Sequence, residues 1–266
     1  MIDFKLAHKI FNDAVANRYS LAENDAERQW IKLKEKHSLQ VLGVGSRILE
    51  SDDALKKRSI GFHEWAKTAL LLHDLGRFYQ FKNGSLDKNI DHGALGADIL
   101  NKDYNVHEPH ILFSIKYHDK MEIDAECLDE SIWLMLWLVR DADKLANYIM
   151  FKNEGVKYMT TAQNKNLKIT ESAFQSFKQR RLVDWYSIDK PTKFDFVLLL
   201  ICWQYDIYFK ATRQIMEQEN INQFLVQELR RIADKIRFDD PSSTTEREYN
   251  SLINHIHEIE DDLFSV

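Results

Sequence analysis

Apolar positions recur mostly every third or fourth residue along this chain, which is the spacing of one face of an α-helix. One such face contains Trp30, Leu33, His37, Val41, Val44 and Ile48. Further faces run through residues 62–73, 92–99, 111–118 and 132–150. Helix breakers are scarce, with Gly 8 and Pro 3 among 266 residues. The pattern therefore predicts an all-α protein.

The ends of some helices are also marked in the sequence. Asp91 is the predicted N-cap of the helix that carries His92. Gly76 is placed to end the helix that carries His73. The polar stretch from Lys152 to Thr170 predicts a loop. Beyond it, apolar periodicity predicts helices around residues 171–186, 194–218, 220–236 and 245–263.

Six side chains that can bind metal are predicted to turn inward: His37, His73, Asp74, His92, His118 and Asp143. A single inward histidine is usually a satisfied core residue, whereas an unpaired buried carboxylate is very costly. No lysine or arginine is evident on the apolar faces to pair with Asp74 or Asp143. The six side chains satisfy one another if they share one or two ions, so we predict a metal site between helices. Imidazole and carboxylate together suit Mn, Fe, Co, Ni or Zn.

Helical geometry selects between two neighbouring aspartates. Asp141 and Asp143 point about 200° apart, at about 100° for each residue of a helix. Asp143 is in register with Leu136 and Val139 and is therefore the predicted ligand. Asp141 falls nearer the polar side, as a group behind the ligands or on the surface. Adjacent His73 and Asp74 point about 100° apart on a helix. Both can therefore reach one ion only if that ion lies in a crevice beside the helix.

These motifs resemble the HD-domain superfamily of metal-dependent phosphohydrolases over roughly residues 28–150. The segments that carry the resemblance are Lys36-His37-Ser38, Leu-Leu-His73-Asp74-Leu-Gly-Arg77-Phe and Ala142-Asp143-Lys144-Leu145-Ala146-Asn147-Tyr148. The last is similar to segments of guanosine-tetraphosphate hydrolases and of deoxynucleotide triphosphohydrolases. The resemblance implies an HD helical bundle at about 28–150. With the periodic helices on either side of it, we expect one all-helical domain over residues 1–266. A C-terminal helical extension is expected at about 165–266.

Two further histidines resemble those of the binuclear branches of this superfamily. These are His92 in Asp-His92-Gly-Ala-Leu-Gly96 and His118 in Ile-Lys-Tyr-His118. The branches include cyclic-dinucleotide phosphodiesterases, bacterial diadenosine tetraphosphate hydrolases and diiron oxygenases. The resemblance implies that His37, His73, Asp74 and Asp143 hold one metal. Asp74 would bridge to a second metal on His92 and His118.

Two departures from the family patterns limit the comparison. The sequence has no Gly-Tyr-Pro motif of the cyclic-di-GMP enzymes. It also has no acidic residue in the turn just after His73-Asp74, where Arg77 stands instead. We expect Asp74, Arg77 and Lys144 to take part in catalysis. Arg77, Lys144 and Asn147 are the expected substrate contacts.

The resemblance implies hydrolysis of a nucleotide or another small phosphorylated metabolite by a metal-activated water. The same ligands would also serve a diiron oxygenase, and a non-catalytic metal-binding sensor is the third hypothesis. Lys116 and Lys120 flank His118 and are expected on a solvated helix face.

Composition narrows the expected partners and location. With a formal net charge of -6 and a pI near 5.9, the chain lacks the electrostatic footprint of a nucleic-acid binder, so a small phosphorylated substrate is expected instead.

Cys127 and Cys202 form no disulfide framework and suit a reducing cytoplasm. The N-terminus lacks the apolar core of a signal peptide, and the longest apolar run, Phe196 to Trp203, is too short to span a bilayer. We expect a cytoplasmic protein with no membrane partner, and assembly into a homo-oligomer stays open.

Overall fold

The computed structural model describes residues 2–82, 85–87, 89–123, 129–155, 168–239 and 246–264. Across these residues the α-helices are α1 (Phe4–Leu21), α2 (Asp25–Ser51), α3 (Ile60–Leu72), α4 (Arg77–Gln80), α5 (His92–Asp103), α6 (Pro109–Tyr117), α7 (Glu130–Glu154), α8 (Glu171–Lys178), α9 (Lys193–Trp203), α10 (Lys210–Gln218), α11 (Ile221–Asp239) and α12 (Glu246–Phe264). Short 3-10 helices occur at Trp185–Ser187 and Gln204–Asp206. Strands β1 (Phe81–Lys82) and β2 (Ser85–Leu86) form one antiparallel pair. The predicted all-α class is confirmed.

The chain divides into two compact units. The first contains Met1–Asn147 together with Tyr208–Thr212, and the second contains Tyr148–Ile207 together with Arg213–Val266. The single domain expected from the sequence stays a prediction.

Helix α1 belongs to the core of the first unit, although it precedes the region that resembles a known family. The Asp3 carboxylate caps it by accepting a hydrogen bond from the Leu6 backbone N–H at 2.7 Å. Its buried face includes Ile10 and Phe11, and the helix packs against α2 and α3. The first unit therefore begins well before the metal-binding motifs.

Two glycines allow α5 to approach its neighbours at backbone distance. A Cβ at Gly76, in the turn after α3, would collide with the carbonyl oxygen of His92. A Cβ at Gly93 would lie 2.7 Å from the carbonyl oxygen of Lys116, at the end of α6. Because both contacts involve backbone atoms, a side chain at either position would push the helices apart. Glycine at these two positions thus brings the start of α5 close to the ends of α3 and α6.

The prediction that Asp141 lies nearer the polar side of α7 is wrong. Asp141 is completely buried and accepts hydrogen bonds from the backbone N–H groups of Tyr208 at 3.0 Å and Phe209 at 2.9 Å. The Thr212 hydroxyl donates a third bond, at 2.8 Å. Burial raises the pKa of Asp141, and these bonds partly counter it. The segment Tyr208–Thr212 covers a face of α7 that the local sequence pattern marks as polar.

The second unit contains the C-terminal helices. The predicted helix at 171–186 ends early, at Lys178, and Arg180 adopts a left-handed φ of 52° shortly afterwards. The predicted helix at 194–218 is interrupted, because α9 ends at Trp203 and α10 begins at Lys210. Most of α9 is buried, which its long apolar run explains. The Tyr148 hydroxyl donates to the Leu200 carbonyl at 2.7 Å, within the same unit.

Some predictions fall partly outside the described residues. Helix α7 continues to Glu154, inside the predicted loop, and residues 156–167 of that loop lie outside the described part of the chain. Cys127 lies outside it as well. Where helices are described, none is both long enough and apolar enough to cross a membrane.

Candidate metal centre

The six predicted ligands come together from five parts of the first unit. His37 lies within α2, His92 is the first residue of α5, and Asp143 lies within α7. His73 and His118 are the residues that cap the C-terminal ends of α3 and α6. Asp74 follows His73 in the turn before α4, so the His-Asp pair lies at a helix end and not within a helix.

One group of ligand atoms surrounds Asp143. The Nε2 atom of His37 lies 2.9 Å from Asp143 Oδ1, and that of His73 lies 3.8 Å from the same oxygen. Both nitrogens lie 3.7 Å from Asp74 Oδ2. The histidines and Asp74 are buried, whereas 24% of the Asp143 side chain is exposed. These four residues form the predicted first half of the site.

A second group meets the other oxygen of Asp74. The Nε2 atoms of His92 and His118 lie 3.5 and 3.6 Å from Asp74 Oδ1 and 3.2 Å from each other. All three residues are buried. The two carboxylate oxygens of Asp74 therefore face two separate pairs of histidines.

Hydrogen bonds on the far sides of two rings define their proton positions. His73 Nδ1 donates to the Leu70 carbonyl at 2.9 Å, and His118 Nδ1 donates to the Ile115 carbonyl at 2.7 Å. A neutral ring bonded in this way directs the lone pair of Nε2 into the site. Within the described residues, the buried Nε2 of His73 has no hydrogen-bond partner. Such an orphaned acceptor fits a metal ion.

The surroundings of Asp74 and His73 favour the protonation states that metal ligands require. Burial opposes ionisation of Asp74, yet the charge of Lys34 holds its pKa well below the usual range. Burial lowers the pKa of His73 to about 4. An ionised carboxylate and a neutral imidazole are the forms that bind a cation. The donor set thus fits one or two divalent metal ions.

Comparison with known families agrees with this geometry. Residues 35–148 match the family model of the HD domain. The chain contains an HD domain. Searches of curated proteins and of solved structures gave no significant match. HD domains belong to a superfamily of metal-dependent phosphohydrolases, so the resemblance drawn from the motifs is confirmed, and the matched range includes all six predicted ligands.

Lys34, one residue before the matched range, is a site residue that the sequence pattern did not reveal. Its Nζ atom lies 3.0 Å from Asp74 Oδ2, which corrects the expectation that no basic residue pairs with Asp74. Lys34 precedes His37 by one turn of α2, so the same helical face presents both. The Lys34–His37 spacing was the available sequence signal.

The predicted substrate-contacting residues of the HD domain have different environments. The Nε atom of Arg77 lies 3.5 Å from Asp74 Oδ1, beside the site as expected. Asn147 donates from Nδ2 to the carbonyl and to Oδ1 of Asp143, at 2.8 and 2.9 Å, and so orients that carboxylate. Lys144 is buried, and its charge counters the effect of burial on the pKa of Asp141. Contacts of these residues with substrate stay predictions.

The two lysines that flank His118 differ from each other. Lys116 is exposed, as predicted for a solvated face, and its Nζ atom lies 5.0 Å from the centre of the Tyr117 ring. Lys120 instead pairs with the carboxylates of Asp91 and Asp119, at 2.9 and 3.0 Å. The expectation for Lys120 therefore needs correction, because its ammonium group joins two elements of the HD domain.

Proposed function

We propose that this protein is a metal-dependent phosphohydrolase that hydrolyses a nucleotide or another small phosphorylated metabolite. The division of the Asp74 oxygens between two histidine pairs carries the proposal. His37, His73, Asp74 and Asp143 would hold one divalent ion. Asp74, His92 and His118 would hold a second.

Bound divalent ions would supply Lewis acidity, which polarises a phosphoryl oxygen and lowers the pKa of a water. The protein residues keep the site ready for that chemistry. Lys34 favours the ionised form of Asp74, and Asn147 fixes the orientation of Asp143. The ligands need little rearrangement, and such preorganisation lowers the cost of reaching the transition state.

The charge balance of the site favours an anionic substrate. The ionised carboxylates of Asp74 and Asp143 carry two negative charges. Lys34 and Arg77, which lie 3.0 and 3.5 Å from Asp74 oxygens, already oppose them. Divalent ions would add positive charge that these carboxylates do not neutralise. A phosphate group would supply the missing negative charge.

Partial exposure indicates the side from which a substrate would approach. The side chains of Arg77, Asp143 and Lys34 are 22%, 24% and 16% exposed, whereas the ligand histidines are almost inaccessible. An arriving phosphate would therefore meet the two basic groups together with the ions. Arg77 offers a planar set of donors that matches phosphate oxygens.

Metal reconstitution without oxygen tests the proposal. Protein stripped by a chelator is reloaded with Mn, Co or Ni under argon, and phosphate release is measured from a panel of nucleotides and phosphate esters. We expect hydrolysis of at least one substrate with several of these metals, because no electron transfer is required. The Asp74→Ala variant, loaded in the same way, is the inactive control.

Two outcomes would contradict this function. Activity that requires iron together with O2, with no hydrolysis of any phosphate substrate, would favour the diiron oxygenase. Elemental analysis showing equal metal content in the native protein and in Asp74→Ala would remove the metal site itself.

A further inference from the structure

His92 differs from His73 and His118 in the position of its helix. The latter two follow a helix, so the carbonyl of the residue three positions earlier accepts their Nδ1 protons. His92 is the first residue of α5 and has no preceding helical turn. Its Nδ1 atom must therefore find a partner on another element.

Asp119 lies where that partner is needed. Its Oδ2 atom is 3.4 Å from His92 Nδ1, on the side of the ring opposite Nε2. The Nε2 atom faces His118 and Asp74 at 3.2 and 3.5 Å. Because the ring separates its two nitrogens, Asp119 contacts the back of His92 and not the group of ligand atoms. It follows His118 directly, so one short segment supports both histidines of the second group.

Lys120 fixes the position of Asp119. Its Nζ atom lies 3.0 Å from Asp119 Oδ1 and 2.9 Å from Asp91 Oδ1. The Asp91 carboxylate also accepts a hydrogen bond from the Ala94 backbone N–H at 3.0 Å, which caps α5. Lys120 thus joins the residue before His92 to the residue after His118. This leaves Asp119 Oδ2 directed at the His92 ring.

We infer that Asp119 is a positioning residue for His92 and sets the affinity of the second metal ion. It accepts the proton of Nδ1, which keeps the lone pair on Nε2 and fixes the plane of the ring. Carboxylates that bond metal-binding histidines in this way also make the ring a better donor. The inference rests on the binuclear site of the proposed function.

Manganese titration of the full-length protein tests this role. Equilibrium dialysis with elemental analysis gives the number and affinities of bound ions, and electron paramagnetic resonance detects the magnetic coupling of a Mn pair. In Asp119→Ala the dissociation constant of the weaker ion should rise about 10–100-fold, and the coupled signal should fade at concentrations that saturate the native protein. The tighter ion and the melting temperature of the metal-free protein should change little.

Two further variants separate orientation from general damage. Asp119→Asn keeps an acceptor oxygen but loses the charge, so its dissociation constant should rise less than that of the alanine variant. Asp98→Ala removes an exposed carboxylate of α5, the helix that begins at His92. This carboxylate pairs with Lys102 at 2.7 Å, and the variant should bind both ions normally.

The outcomes distinguish this inference from the proposed function. If the native protein binds two ions and Asp119→Ala holds the weaker one within twofold of normal, Asp119 has no positioning role and the proposed function stands. If the native protein binds at most one ion, the inference fails together with the second metal site, and phosphate release in the reconstitution experiment decides the proposed function. Should the alanine variant not fold, an asparagine variant with unchanged affinities for both ions would overturn the inference.

Discussion

Asp74 is the residue on which the two halves of the site depend. Each of its oxygens faces a different histidine pair, and the partly exposed Lys34 and Arg77 lie 3.0 and 3.5 Å from these oxygens. The two basic residues share a partner but offer different donors. Lys34 forms the shorter contact with the carboxylate, and Arg77 has the larger, partly exposed guanidinium group. We therefore propose Arg77 as the main substrate contact of the two.

Replacement of Arg77 should separate catalysis from metal binding. In Arg77→Ala, phosphate release should fall by about 10²–10³-fold, because one contact that stabilises charge on the phosphoryl group is lost. The metal content should stay unchanged, since the guanidinium group is not a ligand. Arg58→Ala is a matched control, because that arginine pairs with Glu130 at the surface. Equal losses in the two variants would contradict the assignment.

Asp141 and Asp143 should give opposite results when each is changed to alanine. Asp143→Ala should lose metal affinity while the metal-free protein keeps most of its stability. Asp141→Ala removes the acceptor of three hydrogen bonds, and each buried donor left unsatisfied costs about 1–3 kcal/mol. Its denaturant midpoint should therefore fall, while the folded fraction still binds metal. Denaturant titration and elemental analysis on both variants would show whether the order is reversed.

At the scale of elements, the ends of helices place three of the four histidine ligands. His73 and His118 cap helix C-termini and His92 begins a helix, so their rings point into the space where three helix ends converge. Close backbone contacts at Gly76 and Gly93 hold this convergence. The second metal group therefore depends on how closely α5 approaches α6.

A methyl group at Gly93 should damage the second group selectively. Its Cβ would lie 2.7 Å from the Lys116 carbonyl oxygen and 2.9 Å from that of Ile115. Backbone atoms cannot rotate away, so α5 must shift and carry His92 from His118. Gly93→Ala should bind one Mn ion where the native protein binds two. Gly43→Ala is the control, because a Cβ there meets nothing within 4 Å and alanine favours a helix by about 1 kcal/mol.

Periodicity along the chain predicted the helices better than it predicted which distant side chains contact one another. The face through His37 and the N-cap at Asp91 could be recognised because both are local features. The buried state of Asp141 could not, because the segment that covers it comes more than sixty residues later. Lys34 was missed for a related reason, since its ammonium group reaches a carboxylate forty positions away.

For the molecule as a whole, the described chemistry is concentrated in the first unit. All six predicted ligands belong to Met1–Asn147. The second unit contributes a buried core around α9, including Cys202, and a cavity of about 760 Å³ lined in part by Arg180, Tyr205 and Asp262. Its stability can be followed separately from the metal centre.

Cys202 should report unfolding of the second unit. Burial raises its pKa to about 12, so at pH 8 only about one thiol in ten thousand is ionised. In a Cys127→Ser background, a disulfide reagent should leave Cys202 unmodified in native buffer and modify it fully in denaturant, where the thiol returns to its ordinary pKa. Rapid modification of the native protein at pH 8 would contradict the buried position.

The return of Tyr208–Thr212 to the first unit has a consequence for protein synthesis. Every predicted metal ligand has been translated once Asp143 is made, yet the donors that bond Asp141 come only after residues 148–207. A nascent chain that has just completed its ligands therefore holds a buried carboxylate without those three bonds. Domains usually fold as units during translation, N-terminal part first. Here the ribosome must finish most of a second unit before the first can close, so a gene fragment cut just after the HD domain omits part of the first unit.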